Sequence, residues 1–255
     1  MSADPAFAAL RETLDRRHRE TTAAAFALGE EVVVRTGLAE LDAVCGGFRR
    51  GTIGTLEGPP SSGRSALAAR LLAAATRRGL GAVVGVNLFP PALEAAGVRL
   101  ERLLFVRVGE PVEAARAADI VVRSGAFTVV VIPALPSGRG IGSATWTRLA
   151  SLTHRANALL LAVGDEASAE LRYFASLRLE TSIERVRWNG PSGHLGELAG
   201  YDVRAVVRKH KRAAPVGEAT IRCDPFEDRA PLVDLRERTL EIPAMPAVRR
   251  LESVV

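Results

Sequence analysis

The sequence predicts an α/β fold, a parallel sheet with helices on both faces and an antiparallel extension at one edge. Short, nearly continuous apolar runs alternate with helix-forming segments between residues 52 and 163, as in parallel sheets covered on both sides. A glycine-containing loop at residues 58–65 separates the first run from its helix, which is a context typical of phosphate-binding loops. After Leu171 the pattern changes to polar–apolar alternation, which favours antiparallel strands.

The composition is that of a globular protein with a hydrophobic core, and it disfavours the disulfide-rich and membrane-spanning classes. The chain has 255 residues, 47% of them hydrophobic, which is ample for a core. Its formal net charge of +5 is compatible with nucleic-acid binding and equally with a solvated arginine-rich surface. Two cysteines, Cys45 and Cys223, indicate no disulfide framework, and no apolar run is long enough to span a membrane. We therefore expect a cytoplasmic protein without a membrane partner.

A leading helix comes before the sheet. Residues 5–28 follow Asp4, which favours a helix start, and carry an apolar stripe opposite Arg and Glu. This helix is expected either to pack on its own core or to dock as an arm on a neighbour. We divide the chain into an N-terminal helical arm at 1–30, a core domain at 31–224 and a proline-punctuated C-terminal tail at 225–255.

The core is expected to follow the alternating pattern in order. Apolar runs predict strands at residues 31–35, 52–56, 82–87, 103–108, 127–132 and 158–163. Helices are expected from residue 36 to the glycines at 46–47, and at 65–75, 90–96, 112–124 and 144–156. Alternation predicts the antiparallel strands at 177–188, 201–209 and 218–223.

The loop after the strand at 52–56 is the main candidate site. It reads Gly58-Pro59-Pro60-Ser61-Ser62-Gly63-Arg64-Ser65 and fits the phosphate-loop pattern G-x-x-x-x-G-K-[ST], except that Arg64 replaces the lysine. Its glycines would let the backbone fold around an anion, which the helix N-terminus also favours. An ordinary Gly/Pro/Ser turn is the alternative interpretation. We predict these eight residues as a nucleotide- or phosphate-binding loop.

Four segments together resemble the RecA family of recombinases. They are residues 35–42, the phosphate loop with Glu57 before it, residues 171–179 and residues 206–215, and they appear in the family's order and spacing. The resemblance spans about Thr36 to Cys223. It implies a RecA-like phosphate-loop NTPase core with ATP as ligand, and it leaves direct DNA binding and self-association open.

The chain departs from the family at the residues that would carry ATP hydrolysis. Arg64 stands for the lysine that would meet the β- and γ-phosphates, and Pro133 for the aspartate that would hold magnesium. Asn87 stands near the position of the glutamate that would activate water, and Ala92 near that of the aromatic residue that would pack on adenine. Losing these groups together should remove most of the catalysis. We expect ATP to bind weakly at most, no bound magnesium, and no catalytic residues.

The resemblance also concerns DNA and neighbouring subunits. Lys209 and Lys211 match lysines that reach the adjacent subunit's nucleotide in RecA filaments, so they are candidates for a trans phosphate or DNA contact; a solvated strand end is the alternative. Arg139 is a candidate DNA contact in a glycine-rich loop. Both of the loops that hold single-stranded DNA in RecA are shortened here, to residues 136–143 and 164–170. The second is acidic, which disfavours phosphate.

A shortened RecA homologue with a degraded nucleotide site resembles the ImuA family of bacterial damage-induced mutagenesis cassettes. That resemblance implies an accessory role in the SOS response and translesion synthesis, through binding to repair polymerase subunits or to RecA. The alternative is an active RecA-type, DNA-dependent ATPase that binds single-stranded DNA in recombination.

Overall fold

The computed structural model describes residues 33–86, 88–133, 141–189, 197–212 and 217–223. The predicted arm at 1–30 and tail at 225–255 lie outside the described residues, so the domain division stays a prediction. The strands are β1 (Val33–Val34), β2 (Phe48–Arg49), β3 (Thr52–Glu57), β4 (Leu80–Val84), β5 (Leu103–Val106), β6 (Phe127–Pro133), β7 (Leu159–Gly164), β8 (Leu177–Asn189), β9 (Glu197–His210) and β10 (Glu218–Cys223). The helices are α1 (Ala39–Cys45), α2 (Arg64–Thr76), α3 (Pro90–Ala95), α4 (Pro111–Arg123), α5 (Ser143–Ala156) and α6 (Ala169–Phe174), with a 3₁₀ turn at Leu100–Arg102.

The main sheet of the described residues has eight strands in the order β10-β9-β8-β3-β7-β6-β4-β5. The six strands from β8 to β5 run parallel to their neighbours. β9 and β10 add antiparallel pairs at the β8 edge. The structure therefore confirms the predicted fold class, including the antiparallel extension. β1 and β2 form a separate antiparallel pair.

Helices cover the main sheet on both faces. α1, α2 and α3 bury their apolar residues against one face, where Leu41, Leu71 and Leu93 join Leu56 and Leu161 of the strands. α4, α5 and α6 cover the other face with a second apolar cluster. The inner parallel strands β3, β4, β6 and β7 bury most of their side chains because both their faces are covered. Among the described residues, no helix is both long and apolar enough to cross a membrane.

Two features differ from the sequence-based expectations. α6 occupies residues for which the apolar pattern predicted no helix; Ser168 caps it, with its Oγ accepting from the Leu171 N–H at 3.2 Å. A tryptophan beside a hairpin is usually a packing residue, but the side chain of Trp188 is 63% exposed. It lies near the end of β8, beyond the irregular pairing at Ile183 and Arg185. Trp146, by contrast, is buried in the core beneath α5.

Candidate phosphate-binding loop

The phosphate loop, residues 58–65, connects the carboxyl end of β3 to the start of α2, as its motif predicts. Gly58 has φ +145°, and a Cβ there would lie 2.3 Å from the carbonyl oxygen of Thr181 in β8. Gly63 has φ +91°, and a Cβ there would lie 2.9 Å from a methyl group of Val203 in β9. Both glycines are therefore required by backbone conformation and by close contact with the antiparallel edge.

Hydrogen bonds hold the loop between two neighbouring segments. The Ser62 and Thr181 hydroxyls lie 2.8 Å apart, and both side chains are buried. The Gly58 N–H donates to the carbonyl oxygen of Asp165, just beyond β7, at 3.1 Å. The Ser62 N–H donates to the Pro59 carbonyl oxygen at 3.2 Å. The loop is thus fixed in shape by its own chain, with the N–H groups of the first turn of α2 beside it.

Arg64 turns back onto the loop that it follows. Its Nη1 donates to the Gly58 carbonyl oxygen and to the Asp165 carboxylate. The Arg64 side chain is only 12% exposed, whereas that of Asp165 is 62% exposed. The guanidinium that replaces the motif lysine is therefore bonded within the protein, and its charge is balanced by a carboxylate at the loop.

The acidic segment after β7, residues 164–170, is expected from its charge to disfavour phosphate. In the structure two of its three carboxylates pair with arginines: Asp165 with Arg64, and Glu166 with Arg172 of α6. The sequence alone did not indicate these pairs, since Arg64 and Asp165 are 101 positions apart.

A buried carboxylate, that of Glu57, connects the segments on which the phosphate loop rests through hydrogen bonds. Glu57, the last residue of β3, accepts bonds from Arg178 Nε and Nη2 at 2.8 Å each and from the Thr55 hydroxyl at 2.6 Å. The Ala167 N–H adds a bond at 3.1 Å. Burial alone would raise the pKa of Glu57, but the bonds from Arg178, Thr55 and Ala167 outweigh it and hold that pKa below its ordinary value. Glu57 thus joins β3, β8 and the segment after β7 directly beneath the phosphate loop.

At the edge of the sheet next to the loop, the side chains that would bind a metal–nucleotide complex in the RecA family are replaced. Pro133 ends β6 in register with Val163 of β7, and it is buried where the family pattern has a carboxylate. Ala92 lies exposed on α3, and Asn87 lies outside the described residues. Among the described residues, no three His, Cys, Asp or Glu side chains are grouped to hold a metal ion. With Arg64 bonded inside the loop and Pro133 at the strand end, the residues present do not fit magnesium–ATP.

The two candidate lysines contact the end of α6. Lys209 Nζ donates to the carbonyl oxygens of Arg172 and Tyr173 at 2.6 and 3.0 Å, and Lys211 Nζ donates to that of Phe174 at 3.3 Å. Desolvation, with the nearby charges of Lys211 and Arg178, lowers the pKa of Lys209. Their predicted trans contact with phosphate or DNA stays a prediction. Arg139 lies outside the described residues.

Comparison with known proteins agrees with this fold. A family model described as the MT3502 N-terminal domain matches residues 42–168. The RecA protein of Methylococcus capsulatus is 28% identical over 221 residues, covering 72% of this chain and 62% of the relative. That of Thermus thermophilus is 30% identical over 228 residues, covering 74% and 66%. That of Rubrobacter xylanophilus is 41% identical over 104 residues, covering 39% and 30%.

This chain therefore spans about two thirds or less of the length of these RecA proteins. Among solved structures, the crystal structure of the RadB recombinase superposes with a TM-score of 0.58 at 18% identity. The match covers 74% of this chain and 95% of that one. At such low identity the likeness supports the fold alone.

Proposed function

We propose that the chain, a relative of the RecA-like recombinases, is a DNA repair accessory protein that does not turn over ATP. It would act in damage-induced translesion synthesis, like the ImuA family that its pattern of losses resembles, by binding a repair polymerase subunit or RecA. The observation that carries the proposal is Arg64, whose Nη1 is bonded to Gly58 and Asp165 inside the phosphate loop. An enzyme that hydrolysed ATP at this loop would need the charge of this side chain to contact the phosphates of the nucleotide rather than Gly58 and Asp165.

Pro133 supports the same conclusion independently. A proline side chain has no atom that can bind a cation, so the end of β6 beside the loop cannot take the magnesium role. Weak binding of ATP or another anion to the N–H groups at the start of α2 remains part of the proposal, because those groups do not depend on the lost side chains.

A steady-state ATPase assay, with and without single-stranded DNA, tests the loss of turnover. We expect no hydrolysis above that of the Gly63→Asp variant, whose new side chain would meet Val203 and disrupt the loop. Robust turnover that disappears in Gly63→Asp would contradict the proposal and favour the alternative of an active, DNA-dependent ATPase.

The protein-binding role is tested by removing the two ends. We expect residues 1–28 and 242–255, both outside the described residues, to carry the contacts with the repair polymerase subunit or RecA. Each truncation is compared with the full chain for partner binding, after a DNA-damage pull-down has identified the partner, and for its unfolding temperature. If both truncations keep full partner binding, the interface lies on the core instead.

A further inference from the structure

The amino-terminal edge of the parallel strands, opposite the phosphate loop, carries a groove rich in arginine. A cavity of about 870 Å³ lies between β1, the C-terminal half of α2 and the first residues of β4 and β6. Among the lining residues that the structure describes, Glu101 is the acidic one. Six arginines line it as well, and we call them the arginine groove: Arg35, Arg50, Arg70, Arg77, Arg78 and Arg102.

The described lining of the groove carries a surplus of positive charge. Six arginines against Glu101 leave an excess of five, which equals the formal net charge of the whole chain, +5. The remainder of the sequence is therefore balanced. A surplus of this size on one edge of the sheet produces a local field that attracts anions.

The arginines of the groove differ from many other arginines of the chain in lacking carboxylate partners among the described residues. None of the six pairs with a carboxylate of the described residues, whereas at least eight arginines elsewhere in the chain do. Arg50 is half-buried and donates through Nε to the Asn157 carbonyl oxygen at 2.7 Å, which leaves its two terminal nitrogens without a partner among the described residues. Open guanidinium donors of this kind suit the paired oxygens of a phosphate.

The end of α2 explains only part of this cluster. Arg77 and Arg78 follow the last residue of the helix, where positive charge is favoured by the helix dipole. Arg102 also donates to the Arg77 carbonyl oxygen at 3.4 Å. Arg50 contacts the end of a different helix, because the Asn157 carbonyl oxygen that it bonds lies at the C-cap of α5. Arg35 lies between β1 and α1, at no helix C-terminus, so helix stabilisation does not account for the whole groove.

Positive charge continues along the same edge. A second cavity of about 490 Å³ shares Gly125 with the first and is lined by Arg123, Arg148 and Arg155. The first two of these pair with Asp119, and Arg155 is exposed. Two adjoining cavities with arginine along one edge fit an elongated polyanion better than a compact one.

We infer that the arginine groove binds the phosphodiester backbone of a nucleic acid, at the edge of the sheet opposite the phosphate loop. Backbone phosphates are an extended row of anions, and arginine contacts to them need no base sequence. This binding does not depend on the proposed loss of ATP turnover, because an active ATPase would leave the groove unchanged.

Fluorescence anisotropy on the full chain, with a labelled 30-nucleotide single strand and the matching duplex, tests the inference. Contacts with about four phosphates predict a slope of log affinity against log salt of about −3 for the single strand, a loss of about 50-fold between 50 and 200 mM salt. The double variant Arg70→Gln/Arg78→Gln should make the salt dependence shallower, with a slope of about −1.5. It should also weaken binding at 50 mM salt at least tenfold. Both of these side chains are exposed, so folding should be retained.

The matched control is Arg107→Gln/Arg116→Gln, which removes two exposed arginines outside the groove and should leave affinity and slope unchanged. Circular dichroism verifies that both double variants fold. Three outcomes would overturn the inference: no binding of either oligonucleotide at 50 mM salt, equal losses in both double variants, or a labelled polyglutamate peptide that binds as tightly as the oligonucleotides. The comparison of single strand with duplex decides which form the groove prefers.

Discussion

Asp165 determines the charge that a phosphate would meet at the loop. It pairs with Arg64 and adds a negative charge where an incoming phosphate would need a positive one. We expect Asp165→Asn to tighten ATP binding about fivefold, equivalent to ~1 kcal/mol, because Arg64 is then free to pair with phosphate. The backbone bond from Gly58 to residue 165 is retained in this variant.

Binding of a fluorescent ATP analogue, without magnesium, measures the effect. The control is Glu166→Gln, the neighbouring carboxylate, which pairs with Arg172 away from the loop. An equal change in both variants would mean that general charge, rather than the Arg64–Asp165 pair, controls the site. We expect neither variant to gain hydrolysis, because Pro133 remains.

At this scale the sequence predicted the residues of the motif but not their partners. The loop residues and their glycines follow from a pattern within eight positions, and the structure places them between a strand and a helix. The pairs of Arg64 with Asp165 and of Glu57 with Arg178 bridge 101 and 121 positions. Such pairs depend on the order of strands in the sheet, which no local pattern determines.

Among the elements, α6 depends on the two lysines that contact its end. Lys209 Nζ donates to two carbonyl oxygens of the last turn, a position where positive charge also stabilises the helix dipole. We expect Lys209→Met to lower the unfolding free energy by about 1 kcal/mol, measured by urea denaturation. Arg116→Met, a change at an exposed arginine on α4, serves as the comparison. Unchanged stability in Lys209→Met would favour a role for this lysine outside the chain, such as the predicted trans contact.

Local patterns were sufficient for the parallel strands but not for the ends of the antiparallel hairpin. Val129 and Leu160 lie in runs that are buried on both faces, so an apolar run alone identifies them. In β8 the pairing shifts between Ile183 and Arg185, and this shift changes which side chains share a face beyond it. A further shift lies between Arg187 and Trp188, so periodicity does not predict the face on which Trp188 lies.

The molecule as a whole should lose stability in acid. Four carboxylates of the described residues have pKa values below their ordinary values. They are Glu57, through the bonds that outweigh its burial; Asp119, chiefly through Arg148; Glu180, chiefly through Arg208; and Glu170, chiefly through its own backbone N–H and then Ser168. A lowered pKa in the folded state stabilises it at pH values above the unfolded pKa, near 4 to 4.5, and this contribution is lost as the pH falls through the folded values.

We therefore expect the unfolding free energy to be nearly constant from about pH 7 to pH 5 and to fall below about pH 4.5. Urea denaturation followed by circular dichroism at several pH values measures this. Glu57→Gln should cost about 3 kcal/mol at neutral pH, because it leaves the Arg178 charge unpaired, and should make the acid-induced fall shallower. Glu218→Gln, which breaks an exposed pair with Arg204, should change stability by less than about 1 kcal/mol. A fall equally steep in Glu57→Gln would show that other carboxylates control acid unfolding.

The contrast between the two tryptophans gives the protein a pair of intrinsic optical reporters. Trp146 is 1% exposed within the core, and Trp188 is 63% exposed near the end of the hairpin. They are the only tryptophans in the chain, so all indole emission comes from these two environments. Iodide should quench the red-shifted emission of Trp188 and leave that of Trp146 almost untouched until the core opens. A ligand that covers the hairpin would thus be distinguishable, without any label, from one that changes global folding.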